Sequence, residues 1–260
     1  MFRLANAAIA AATLALLPVA AFAGDGCATN AVPAAAPNQN FTPWSGVTSP
    51  GNVWRINGPW VGTGNNYLEP SLAQLSDTFD NMSGGYLSLT VPANKLEGSE
   101  IQTLAANPGY GYGRYEVCMK PSSVSGVVAS FFWIEAPGYG PHEWDIEFLT
   151  PDFSGNKGAV HFTVHPANET LSFPLNFNPS SGFHRYGFTW TPGKIVFNVD
   201  GSPAQTVVNA VLNTTATGYI MMNSWTGNPN WGGGPPNQNA TSVYAWARFA
   251  KWIAPASASH

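Results

Sequence analysis

The chain has 260 residues and carries ten basic and fourteen acidic side chains, for a net charge of −4. That balance excludes nucleic acid and an anionic membrane surface as partners. Aromatic residues reach 13%, with 27 glycines and 22 prolines, a low-charge and turn-rich composition that suits an all-β fold.

Residues 1–23 hold an early Arg3, an apolar run from Ala7 to Ala21 and the small-residue end Ala21-Phe22-Ala23. This is the pattern of a secretory signal peptide, so the mature protein is expected to be secreted or periplasmic. The apolar run is too short for a membrane span, and no later segment reaches that length. Residues 24–40 form a low-complexity approach rich in Ala, Pro and Asn. One domain of sandwich size is expected over 41–254, with a tail at 255–260. Cys27 and Cys118 are the two cysteines, and both survive cleavage. They can pair in an oxidising compartment, and two free thiols is the alternative left open here. Their spacing does not suit a metal site.

From Trp44 to Trp60 the sequence reads as loop. Tyr86 to Val91 alternates between apolar and polar residues as a half-buried strand does. Further strands are predicted around Glu100–Gln102, over 113–120 and over 127–133. After the acidic stretch they continue over 159–165, 183–190, 194–199, 219–225 and 244–252. Asp200-Gly201 marks a hairpin turn. No sustained helical periodicity and no internal repeat occurs, so two packed antiparallel sheets are expected.

The stretch that carries chemistry is Glu143-Trp144-Asp145-Ile146-Glu147-Phe148. On a strand, alternate side chains share a face, so Glu143, Asp145 and Glu147 would line one side and the apolar residues the core. Pro141 and the β-forming residues between the acids favour a strand over a helix. Three adjacent acids repel one another, and folding alone gives no reason to keep them. Their pattern suits glycoside hydrolysis, in which two carboxyls about 5–5.5 Å apart act as nucleophile and acid/base. Glu143 would attack the anomeric carbon and Glu147 would protonate the leaving oxygen. Asp145 would hold a proton between them and keep their pKa values apart. A solvated acidic face on an edge strand is the plain alternative.

The stretch resembles the E-x-D-x-E signature of glycoside hydrolase family 16. The likeness extends to Tyr110–Lys120, Ser130–Phe132, Gly182–Tyr186, Trp190–Gly193, Val199–Gly201 and Met221–Trp225, in that order along the chain. It implies a curved jelly-roll, concanavalin-like sandwich with a concave cleft. It also implies an endo-acting, retaining β-glucanase cleaving β-1,3-1,4 or β-1,3 linkages or a related exopolysaccharide. The resemblance makes Glu100, Phe132, Asn223, Trp225 and Trp231 substrate contacts. A polysaccharide is the expected partner, the chain acting as a monomer, with no membrane contact after signal cleavage and no cofactor.

Several positions depart from the lichenase pattern. Gln102 stands where many relatives have Arg, and Ile134, Pro141, Thr163 and His165 replace aromatic or amide residues around the cleft. Arg248 replaces an Asp that many relatives use for a structural calcium, which puts that ion in doubt and leaves no metal ligand set. His142, His161, His165 and His184 read as hydrogen-bonded structural residues. A transglycosylase on the same scaffold and a non-catalytic carbohydrate-binding sandwich are the other readings. The intact acidic triplet counts against the binding module.

Overall fold

The computed structural model describes Cys27 and residues 54–79, 82–104 and 110–251. The signal peptide, most of the low-complexity segment and the tail therefore lie outside the described residues. Sixteen strands occur among the described residues. The first half of the chain supplies β1 (Trp54–Ile56), β2 (Trp60–Val61), β3 (Tyr67–Leu68), β4 (Ala73–Phe79), β5 (Met82–Val91), β6 (Glu97–Thr103), β7 (Gly113–Lys120) and β8 (Val127–Glu135). The second half supplies β9 (Glu143–Leu149), β10 (Gly158–His165), β11 (Glu169–Leu175), β12 (His184–Thr191), β13 (Lys194–Val199), β14 (Ser202–Val208), β15 (Gly218–Thr226) and β16 (Ala240–Lys251). Helix among them is limited to 3₁₀ turns of three or four residues.

The strands form two sheets, one in the order β11-β10-β9-β8-β15-β6-β3-β2 with β1 also on β6, the other in the order β14-β13-β12-β7-β16-β5-β4. Pairing is antiparallel apart from the two-residue contact of β3 with β6. The all-β sandwich expected from the sequence is the fold observed.

Alternation explains how the sheets join. In β9, Trp144, Ile146 and Phe148 are fully buried and belong to the core between the sheets. Aromatic contacts bridge the two layers. Trp144 and Trp133 of the larger sheet meet Trp190 of the smaller, with ring centroids 5.3 Å and 4.8 Å apart. Phe148 meets Tyr186 at 4.6 Å and Phe162 stacks on Phe197 at 4.5 Å. Each large aromatic buried this way stabilises the fold by about 2–3 kcal/mol, and truncating one to Ala costs about 3–5 kcal/mol. The acidic residues of β9 are thus backed by close aromatic packing.

The Asp200-Gly201 turn joins β13 to β14 as predicted. Both residues have positive φ, 48° and 81°, as a two-residue type I′ turn requires. A Cβ on Gly201 would also fall 2.1 Å from Arg185 Nη2. The region read as loop up to Trp60 instead contains β1 and the start of β2, pieces too short for periodicity to reveal. Two further strands, β11 and β14, lie at the sheet edges and carry Pro174 and Pro203. Proline is tolerated there because an edge strand has backbone donors to spare.

Cys27 is bonded to Cys118, with Cα atoms 5.7 Å apart and a sequence separation of 91. Cys118 alternates with the core residues Val117 and Met119, and its register partners are Arg185 and Trp246. It therefore sits on the face of the smaller sheet turned away from the other layer, fully buried by what covers it.

Candidate active site

β9 lies inside the larger sheet, between β8 and β10, so it is not the edge strand of the plain alternative. Its polar face looks into a cleft of about 400 Å³. Glu143, Asp145 and Glu147 all line that cleft, joined by Glu100, Phe132, Asn223 and Trp225. Seven residues singled out from the sequence are thus brought to one cavity. The register explains why. Glu147 stands opposite His161 and Ser130, Ser130 opposite Asn223, and Asn223 opposite Glu100. A single lateral row therefore crosses five strands. The next row places Phe132 between Asp145 and Met221.

Burial dominates the electrostatics of the three acids, because removing a carboxylate from water favours its protonated form. The Glu147 carboxyl is pushed up to about 7 by burial, with an indole hydrogen bond from Trp231 opposing the rise and the Glu143 charge adding to it. Trp231 Nε1 donates to Glu147 Oε1 at 3.2 Å. Asp145 lies well above the ordinary carboxylate range, through burial first and then its two flanking carboxylates. Burial also raises Glu143, while the charge of His165 and a hydrogen bond from Asp145 pull it back. The side-chain bond between Asp145 and Glu143 raises one and lowers the other. Asp145 therefore keeps the proton and donates it toward Glu143, which ionises the more readily. Two outer carboxyls in different charge states, with a protonated acid between them, can act together as base or nucleophile and as acid.

The opposite wall is a polar network. Asn57 Nδ2 donates to Glu100 Oε1 at 2.8 Å and to Gln102 Oε1 at 2.9 Å. Asn223 Nδ2 donates to Glu100 Oε2 at 3.1 Å. Tyr139 reaches over from the loop before β9 and donates its hydroxyl to Gln102 Oε1 at 2.8 Å. Asn223 Oδ1, Ser130 Oγ and Trp225 Nε1 are buried without a hydrogen-bond partner. Unsatisfied polar atoms are rare in interiors, and all three belong to residues that line the cleft.

Trp225 presents little open face. It is 5% exposed, and the backbone of Gly64 lies so close that a Cβ there would meet the ring at 2.3 Å. Trp231 stands beside Glu147 and does not line the cavity itself. Trp133 is fully buried in the core.

The model of glycosyl hydrolases family 16 matches residues 71–248. The chain belongs to this family. It is a glycoside hydrolase. Among the most similar relatives are β-glucanases of Paenibacillus polymyxa and Bacillus subtilis (strain 168). Each is 37% identical to this chain, the first over 63% of the chain and 68% of the relative, the second over 64% and 68%. A solved β-1,3-1,4-glucanase (lichenase) derived from a mouse hindgut metagenome superposes with a TM-score of 0.63 at 28% identity. It covers 78% of this chain and 95% of its own.

Against the family pattern, Ile134 and His165 line the cleft. Thr163 is instead buried, with its hydroxyl 3.1 Å from that of Thr170, and Pro141 is exposed away from the cavity. Trp60, Leu68, Tyr139 and Met221 also line the cleft, and sequence reasoning missed them. Trp60 and Leu68 could have been found only through the pairing of β2 with β3, which sets them side by side. Each histidine singled out has a hydrogen-bond partner: Glu135 for His142, Asp152 for His161, Asn168 for His165 and Asp200 for His184. Among the described residues no group of three His, Cys, Asp or Glu side chains could hold a metal ion. Arg248 donates to Glu116, which Arg114 and Arg185 also approach, so the position of the family's calcium ligand carries positive charge and does not fit a cation.

Proposed function

We propose that this chain is an endo-acting, retaining β-glucanase that cleaves β-1,3-1,4 or β-1,3 linkages by double displacement. The observation that carries the reading is the charge ordering of the triplet on β9. Glu147 retains a proton near neutral pH, and the Asp145 hydrogen bond favours ionised Glu143.

The Glu143 carboxylate attacks the anomeric carbon as the glycosidic bond breaks, and the Glu147 proton passes to the leaving oxygen. The ester to Glu143 then holds the sugar. Glu147, now ionised, takes a proton from water as that water attacks the same carbon and expels Glu143. Asp145 donates to Glu143 as its charge returns. Glu100, Phe132, Asn223 and Trp225 bind the sugars beside the scission point, and Trp231 acts through Glu147. The partner is the polysaccharide alone, and the enzyme acts as a monomer without a calcium ion. Export to a secreted or periplasmic location is supported by the Cys27–Cys118 bond, which suits an oxidising compartment.

Product stereochemistry tests the mechanism. Proton NMR of early products should show the β-anomer first. Glu143→Ala should be inactive, and added azide should restore turnover with an α-glycosyl azide product. Glu147→Ala should lose roughly 10²–10⁴-fold on natural glucans. It should keep activity on substrates with good leaving groups and give a β-glycosyl azide. Inversion by the wild-type enzyme would overturn double displacement. An oligosaccharide acceptor outcompeting water would identify a transglycosylase.

A further inference from the structure

We propose that His161 and Asp152 are positioning residues for Glu147, acting through the indole of Trp231. The inference rests on Glu147 being the proton donor. His161 faces Glu147 directly in the β9–β10 register, so the two side chains share the cleft face of the sheet. Trp231 comes from the connection between β15 and β16. Its ring meets the His161 imidazole edge to face, with centroids 5.2 Å apart and planes at 65°. The same indole aims its N–H at Glu147 Oε1. His161 Nε2 donates in turn to Asp152 Oδ2 at 2.7 Å. Asp152 ends the 3₁₀ turn Thr150–Asp152, which follows β9 without a break. The contacts close a ring: from Glu147 to Trp231, to His161, to Asp152, and back along the chain to the end of Glu147's own strand.

The ring has a chemical consequence. A donated hydrogen bond favours the ionised carboxyl, and its strength falls steeply when donor and acceptor tilt apart. Trp231 packs on Val128, Leu149 and Trp225 from one direction, and His161 abuts it from β10. Without the imidazole the indole can swing, the bond to Glu147 weakens, and the proton is held too tightly to be given up. The other charged or titratable groups facing this part of the cleft are Glu143 and Asp145 on β9, His165 on β10 and Glu100 on β6. None of them is altered by a change at Asp152.

The test reads the Glu147 pKa by carboxyl ¹³C NMR in the substrate-free protein, with its signal assigned by Glu147→Gln. No glucan is needed, so failure here is separate from failure of the glucanase reading. Trp231→Phe should raise the value by about one pH unit, the scale of a hydrogen bond to a charged group. His161→Ala and Asp152→Ala should each raise it by a large part of that shift. His161→Phe, which keeps a ring against the indole, should restore it, and Asp152→Asn, which keeps an acceptor oxygen, should match wild type. Adding His161→Ala to Trp231→Phe should produce no further rise. The exposed Asp152 variant carries the test if His161→Ala does not fold. An unchanged Glu147 pKa in folded Asp152→Ala would overturn the proposal. So would additive shifts in the double variant, or His161→Phe behaving as His161→Ala, which would mean that the imidazole acts by charge alone.

Discussion

His165 Nε2 lies 3.3 Å from Asp145 Oδ2, while its Nδ1 is 2.8 Å from Asn168 Oδ1. The amide oxygen of Asn168 accepts a hydrogen bond from Nδ1–H and fixes the ring, so the second nitrogen faces the middle acid. His165 also stands opposite Glu143 in the β9–β10 register. One imidazole thus touches the acid that holds a proton and neighbours the acid that must lose one.

Replacing that imidazole should move one limb of the pH profile. The charge of His165 helps hold Glu143 down against burial. His165→Phe should therefore raise the Glu143 pKa, so that a smaller fraction is ionised at low pH. The acid limb of kcat/KM should shift to higher pH, with the alkaline limb, which follows Glu147, in place. Initial rates from pH 4 to 9 check this, and an acid limb that stays put or moves down would contradict it.

Glu147 should limit stability at neutral pH. Its folded value of about 7 stands above its ordinary 4.5, so the folded state holds the proton more tightly than the unfolded state. The contribution is fully present below about pH 4.5 and is lost as pH rises through about 7. Glu147→Gln removes the loss. Its unfolding free energy should match wild type near pH 4 and exceed it at pH 8 by on the order of 3 kcal/mol. Urea unfolding at the two pH values measures the difference.

The disulfide should be complete and stabilising. Alkylation without reductant, followed by intact-mass analysis, should find no free thiol. The cross-link spans 91 residues, so Cys27→Ala should lower the unfolding free energy by about 4–5 kcal/mol in the chain-entropy account. A loss below about 1 kcal/mol would mean that the bridge does little to restrict the unfolded chain.

Chelation should leave the melting temperature unchanged. Arg248 points its guanidinium at Glu116, with Arg114 Nη2 2.6 Å from the same carboxylate, and this charge repels a cation. A fall of several degrees with chelator, reversed by calcium, would reveal a different ligand set.

The acidic face of β9 was legible because its period of two survives intact between β-forming residues, and Asp200-Gly201 was legible because a two-residue turn has its own chemistry. Glu147 was expected to hold a proton, but the strength of that hold was not legible. It depends on Trp231, 84 residues further along the chain, and on burial that no local pattern records. Asn57 falls in the stretch read as loop, yet it donates to both Glu100 and Gln102. Tyr139 reaches Gln102 from a loop in which its own backbone adopts φ 54°, a conformation its side chain does not announce. Edge strands β11 and β14 were hidden by their prolines. What sequence withheld was the pairing between distant segments, and with it the partners of each functional side chain.

The strand order also sets when the enzyme comes into being. β16, the last of the described strands, lies inside its sheet between β7 and β5, and β15 lies between β8 and β6. Neither layer can be completed until the final quarter of the chain is present, and such distant pairings make for slow folding. A nascent chain ending at residue 239 would lack an interior strand of one sheet. Half-made copies should therefore be inert toward glucan, and activity should begin only when β16 slides into place.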